Sequence, residues 1–202
     1  MIDGNELEGL EWESIHTKRT DGSNQVTFKV NVKVMNNSDR SDGEFYQLAF
    51  DIAGQVEQSY YGFDSETNTH YNTVVTLDFD SEIDTQNDYY MEFVRKVENT
   101  ETGKPYPAGT VGEGVGNTQV GRIQVRADKY TDSHGIPRTG AHEFGHTTGM
   151  GHPNKQNIDD KTGIKLEANN IMRQSEETHG TLVNIDQLKH INKQIDVDRK
   201  KY

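Results

Sequence analysis

The stretch TGAHEFGHTTGMGHP, residues 139–153, places three of the chain's eight histidines and one glutamate within fifteen positions. The histidines fall at intervals of four and six residues. Residues four apart on a helix stand one above the other, so His142 and His146 present their imidazoles to a common point, with Glu143 beside them. Two such nitrogens make a bidentate grip on zinc. Gly149 and Gly151 are poor helix residues, each costing about 1 kcal/mol relative to alanine in a helix interior. They fit where a helix has to stop. Gly149 can take the left-handed backbone that ends a helix, and the chain then turns to bring His152 to the same point. A plain helix with hydrogen-bonded core histidines is the competing reading, and it leaves both glycines unexplained.

A chain of 202 residues suits one domain, here residues 1–202, and can bury a core without covalent staples. Its 31% hydrophobic content implies a modest core under a polar surface, while apolar periodicity in several segments argues against disorder. A net charge of −12 disfavours nucleic acid or an anionic membrane as a partner, because both repel an acidic surface. With no cysteine, disulfides, thiolate ligands, a thiol nucleophile and thiol-based latency are excluded. No apolar run approaches the ~18 residues of a membrane span. The opening MIDGNELEGLEW has no charged-then-apolar leader, so no signal peptide is expected in it.

Residues 25–34, QVTFKVNVKV, alternate Val26, Phe28, Val30, Val32 and Val34 against polar positions, which predicts a half-buried strand. A capping box from Ser41 to Glu44 then opens a helix with Phe45, Leu48, Ile52 and Val56 at helical spacing. Strands are expected at 73–80, 88–97 and 118–128, the last interrupted by Gly121, and a glycine- and proline-rich loop at 99–117. The histidine helix comes next, followed by a polar loop at 154–170. A terminal helix begins at Asn184, its N-cap, with Gln187 three residues on. This order predicts a mixed sheet with helices in one α/β (α+β) domain.

The string HEFGHTTGMGH fits HExxHxxGxxH at all five fixed positions and resembles the zinc signature of the metzincin metalloproteases. The resemblance implies one catalytic zinc held by His142, His146 and His152, with Glu143 as the general base. It also implies a methionine turn beneath the metal. Met172 in NNIMRQS, twenty residues past His152, fills that place, although a core methionine in a loop reads the same way. HTTGMGHP is similar to the bacterial serralysin string, including Pro153. Where serralysins and astacins carry a tyrosine two residues after the methionine, this chain has Gln174. The implied fold is an N-terminal lobe to about residue 152, holding a twisted mixed sheet, a backing helix and the zinc helix. A small C-terminal lobe from 153 holds the methionine turn and the terminal helix.

The expected function is therefore a secreted, monomeric zinc endopeptidase acting on protein or peptide. One alternative is the protease domain of a larger toxin-like protein with a dedicated inhibitor partner. A zinc-stabilised binding module without turnover is another, and the intact Glu143 argues against it. An extended substrate needs a strand edge to pair with, and 117–128, including Val120 and Gly121, is the candidate, an interior strand or surface hairpin being the other reading. Acidic residues at 78–84 offer a structural calcium site or a solvated turn. Tyr130 and His134 lie just upstream of the motif; His16, His70, His179 and His190 are scattered singly.

Overall fold

The alternating valines and Phe28 lie in a strand of fourteen residues, Asn24–Asn37, and they form its buried face. The computed structural model describes residues 11–107, 110–127, 135–173 and 180–201. In chain order the elements are β1 (Trp12–Lys18), β2 (Asn24–Asn37), α1 (Asp42–Ser59), β3 (Gly62–Asp64) and β4 (Thr69–Asp78). Then come β5 (Tyr89–Val94), β6 (Gly112–Gly116), β7 (Gly121–Arg126), α2 (Gly135–Thr147) and α3 (Ile185–Arg199). The seven strands form one mixed sheet in the order β3-β4-β2-β5-β7-β6, with β1 also paired to β2. The protein is thus a mixed α/β fold, as the element pattern predicts.

Strand β2 is long because three neighbours share it. Along one side it runs parallel to β4 from Asn24 to Lys33. Along the other, β1 pairs antiparallel with its first half and β5 parallel with its last five residues. Helix α1 begins where the capping box predicts: the Glu44 carboxylate accepts the Ser41 N–H at 3.1 Å and its hydroxyl at 2.8 Å. Its buried residues include Phe45, Ile52 and Val56, which face the sheet. Asn184 caps α3 as expected, accepting the Gln187 N–H at 3.0 Å.

Helix α2 lies beside α1, anchored from below. Phe144 is fully buried and meets Trp12 at a ring-centroid distance of 6.4 Å; Trp12 in turn meets Tyr60 and Phe28. The Tyr60 hydroxyl donates to the Ala141 carbonyl at 2.7 Å, and Tyr89 shares a 2.7 Å hydrogen bond with the Thr147 hydroxyl. Aromatic burial therefore fixes the depth of α2, and the two tyrosine hydroxyls fix its position along and around its axis.

Three strands were not anticipated in the sequence, and one expectation is corrected. β1 and β3 are short on apolar residues, and pairing with β2 and β4 defines them. β6 lies within the expected loop at 99–117. Its residues Gly112, Gly114 and Gly116 leave no apolar alternation to read. Segment 117–128 is not the sheet edge. β7 is interior, between β5 and β6, so β6 holds the edge. Val120 sits in the β6–β7 turn, its N–H donated to Asn117 Oδ1 at 3.0 Å, and Gly121 begins β7 instead of interrupting it.

A methyl group on Gly140 would lie 2.7 Å from Cγ2 of the fully buried Ile52, so this glycine sets the closeness of α1 and α2. Gly140→Ala should cost about 1–3 kcal/mol by overpacking, measured by urea denaturation. Unchanged stability would show that the two helices separate freely.

Candidate metal centre

His142 and His146 sit one turn apart on α2, the first buried and the second half-buried. His142 is 3% exposed. Its Nδ1 lies 2.9 Å from the Ile171 carbonyl, and Nδ1 of His146 lies 3.0 Å from the Met150 carbonyl. A carbonyl can only accept, so each Nδ1 carries the proton and each Nε2 presents a lone pair. Those two Nε2 atoms are 3.2 Å apart, and the His142 Nε2 is 3.3 Å from the His152 Nε2. Lone pairs that close repel each other unless a cation lies between them. A tetrahedral zinc with bonds of ~2.0–2.1 Å separates its ligand nitrogens by roughly 3.3 Å. The donor set and its spacing fit such an ion. Among the described residues this is the one gathered group of three or more histidine, aspartate or glutamate side chains.

Burial keeps the ligands neutral. It pushes His142 down to about 3 and His146 down to about 4, and it lowers His152 as well. The nearby imidazoles add to the effect on His142 and His146. Protons therefore compete with a metal only in acid.

The helix end delivers the third histidine. Gly149 has φ +83°, the left-handed region that favours glycine. Its N–H donates to the His146 carbonyl at 3.1 Å, and the Met150 N–H donates to the Gly145 carbonyl at 3.2 Å. Those two bonds make a Schellman ending, with Gly149 as its left-handed residue. His190 of α3 closes the turn from outside, its Nε2 3.1 Å from the Thr148 carbonyl.

Met172 is fully buried against α2. Its Sδ comes so near α2 that a methyl on Gly145 would be 2.4 Å away. The turn Asn170–Arg173 is tied by Asn170 Oδ1, which accepts the Met172 N–H at 3.0 Å. From α2, Arg138 donates to the carbonyls of Arg173 at 2.7 Å and Gly180 at 2.9 Å. The turn Asn170–Arg173 thus packs Met172 against α2 at Gly145, and through Ile171 it supplies the carbonyl that orients His142.

Glu143 points elsewhere, toward β6. It is 5% exposed, and its Oε2 stands 3.9 Å from the His146 Nε2. Burial raises its carboxyl to about 8 against a backbone hydrogen bond from Gly114, which lowers it. Without the cation it holds a proton at neutral pH; a divalent ion alongside favours the carboxylate. Methyl groups on Gly112 and Gly114 would lie 2.6 Å from Glu143 Oε1 and 2.1 Å from its carbonyl oxygen. Glycine at these positions lets β6 touch α2. Sequence reasoning missed Gly112, Gly114 and Gly145; the period-two glycines of GEGVG were the available signal.

Other sequence candidates lie apart. Asp78 and Asp84 cap local turns, accepting N–H groups of Asp80, Ser81 and Gln86. His70 meets the Phe63 ring at a tilt, with centroids 4.5 Å apart, and His16 is exposed. Gln174, Tyr130, His134 and His179 lie outside the described residues.

Fold and site together define a mixed α/β protein with a three-histidine metal centre on a helix and the turn that follows it. No family model matches the chain, and no curated protein does. Among solved structures it is similar to a zinc-dependent peptidase from Methanocorpusculum labreanum (strain Z), at 13% identity and a TM-score of 0.35. The match covers 81% of this chain and 99% of that one. Overlap that loose carries no argument, so the metal reading rests on this chain's own geometry.

His152→Ala should weaken zinc binding by at least tenfold in competition with a chromogenic chelator; unchanged affinity would place the third ligand elsewhere. The metal-free protein should lose stability as pH falls from about 6.5 toward 4. Unfolding frees His142 and His146 to bind protons that the folded state refuses, and these two outweigh the single proton retained by folded Glu143. A thermal midpoint that is flat over this range would contradict the neutral-ligand assignment.

Proposed function

We propose that the chain is a zinc-dependent endopeptidase of metzincin type. The observation that carries this reading is Glu143, a buried carboxyl whose Oε2 lies 3.9 Å from the His146 Nε2 and which is not one of the three gathered ligands. A purely structural metal site has no use for a base there. Zinc held by His142, His146 and His152 would supply a Lewis acid to polarise a carbonyl and ease proton loss from water. Three neutral imidazoles leave the ion's positive charge undiminished. Oε2 of Glu143, on the His146 side, takes the proton of the attacking water and returns it to the leaving amine. The Gly114 N–H orients the carboxylate for both transfers.

The edge strand supplies a place for the substrate backbone. Arg126 donates to the Val111 carbonyl, which makes the odd-numbered residues of β6 its hydrogen-bonded partners to β7. The N–H and C=O of Gly112 and the C=O of Gly114 then point away from β7, to the side where the Gly114 N–H is already taken by the Glu143 carboxylate. An extended peptide can pair there, next to Glu143. This favours β6 over the segment around Val120 and Gly121.

Three measurements test the reading. Glu143→Gln should keep its zinc and its fold while losing roughly 10²–10⁴-fold in casein or peptide cleavage, the range expected for a positioned base. Chelator should abolish the parent's activity. A Glu143→Gln protein that cleaves at the normal rate, or a zinc-loaded parent with no cleavage of any unfolded protein, defeats the proposal. Peptides N-methylated at alternate backbone positions should show a raised KM in one register and not in the other; equal KM values would remove β6 as the docking edge.

A further inference from the structure

The three ligands are not held alike. His142 and His146 inherit their positions from α2, whose depth and rotation are fixed by Phe144, Tyr60 and Tyr89. His152 lies beyond the helix, past Gly149 and Gly151, where the backbone has the most freedom to lose. Something outside the helix has to hold it.

The polar loop after it does so. The Asp159 side chain is 1% exposed, yet it belongs to a segment whose sequence reads as solvated loop. Its Oδ2 accepts the Gly151 N–H at 2.9 Å, and its Oδ1 accepts the N–H groups of Lys161 and Thr162, both at 2.9 Å. Asp160 grips the next residue from both sides. Its Oδ1 accepts the His152 N–H at 3.1 Å, and its own N–H donates to the His152 carbonyl at 3.0 Å. Both backbone polar groups of the third histidine, and the N–H before it, are thereby taken by one aspartate pair. Gly151 fits this grip because a methyl there would lie 1.9 Å from Asp160 Oδ1.

The loop is built to present the pair. Bridges Pro153↔Asp159 and Ile158↔Lys165 fold 153–165 back on itself, and the Gly163 N–H closes the turn onto the Asp159 carbonyl at 2.9 Å. Leu166, 2% exposed, roots the far end in the core.

We propose that Asp159 and Asp160 are positioning residues for the third metal ligand, a clip that fixes the backbone of Gly151 and His152 so that the His152 imidazole meets the other two. The clip rests on the metal-centre assignment and is independent of whether the chain cuts peptides. Neither carboxylate touches the metal point; each acts through the backbone of the residue it holds.

The test measures zinc affinity by chelator competition, together with the visible spectrum of the cobalt-substituted protein. Asp160→Ala removes the acceptor for the His152 N–H at an exposed position. It should raise the zinc Kd about 10- to 100-fold, the range for losing a group that orients a ligand, and weaken the cobalt bands of a tetrahedral site. The metal-free thermal midpoint should barely move. Asp160→Asn keeps an acceptor oxygen and should restore the parent Kd. Asp159→Asn puts an amide N–H against the Gly151 N–H and should act like Asp160→Ala; if it fails to fold, the Asp160 pair decides. A Kd within twofold of the parent in Asp160→Ala, or Asp160→Asn as poor as Asp160→Ala, overturns the clip. His152→Ala serves as the reference: if it too leaves the Kd unchanged, the metal centre itself is wrong, a different failure.

Discussion

Two hydrogen bonds that lie outside the metal point govern it. The Ile171 and Met150 carbonyls each take the Nδ1 proton of a helix histidine, which leaves two Nε2 lone pairs facing each other across 3.2 Å. Facing lone pairs in a buried place are unfavourable, so the apoprotein stores a demand for a cation. Burial sharpens that demand by excluding the proton, the one competitor that would otherwise answer it. The surrounding architecture keeps those two carbonyls, and the third imidazole, in place.

Close approach is how it does so, and glycine is the recurrent means. Gly140 brings α2 against α1, Gly145 admits the Met172 sulfur from below, and Gly112 and Gly114 admit β6 from the side. Each of these contacts is closer than a side chain would permit. The helix is thereby held on three faces while His142 and His146 are turned to one point. The cost is a weak intrinsic helix, offset by Phe144 in the aromatic cluster and by the hydroxyls of Tyr60 and Tyr89.

How far the sequence revealed this depended on whether a feature obeyed a local rule. The spacing of His142, His146 and His152 and the left-handed turn at Gly149 follow from helix geometry, so they could be read directly. So could α1 and α3, whose starts rest on the side chains of Glu44 and Asn184. Strand β6 could not, because its glycines erase the alternation that marks a strand; α2 and β7 give it its conformation. Nor does the sequence choose between an edge and an interior place for β7, since strand order in a sheet is a non-local property; the interior reading is the one that holds. Asp159 was hidden for another reason: in sequence, a buried and fully bonded aspartate looks the same as a solvated one.

Zinc-edge X-ray absorption on the loaded protein tests the centre most directly. Three imidazole nitrogens and one further light atom should appear at about 2.0–2.1 Å, with the outer-shell pattern of three rings. Two imidazoles, or a six-coordinate shell of oxygens at longer distance, would contradict a centre formed by His142, His146 and His152.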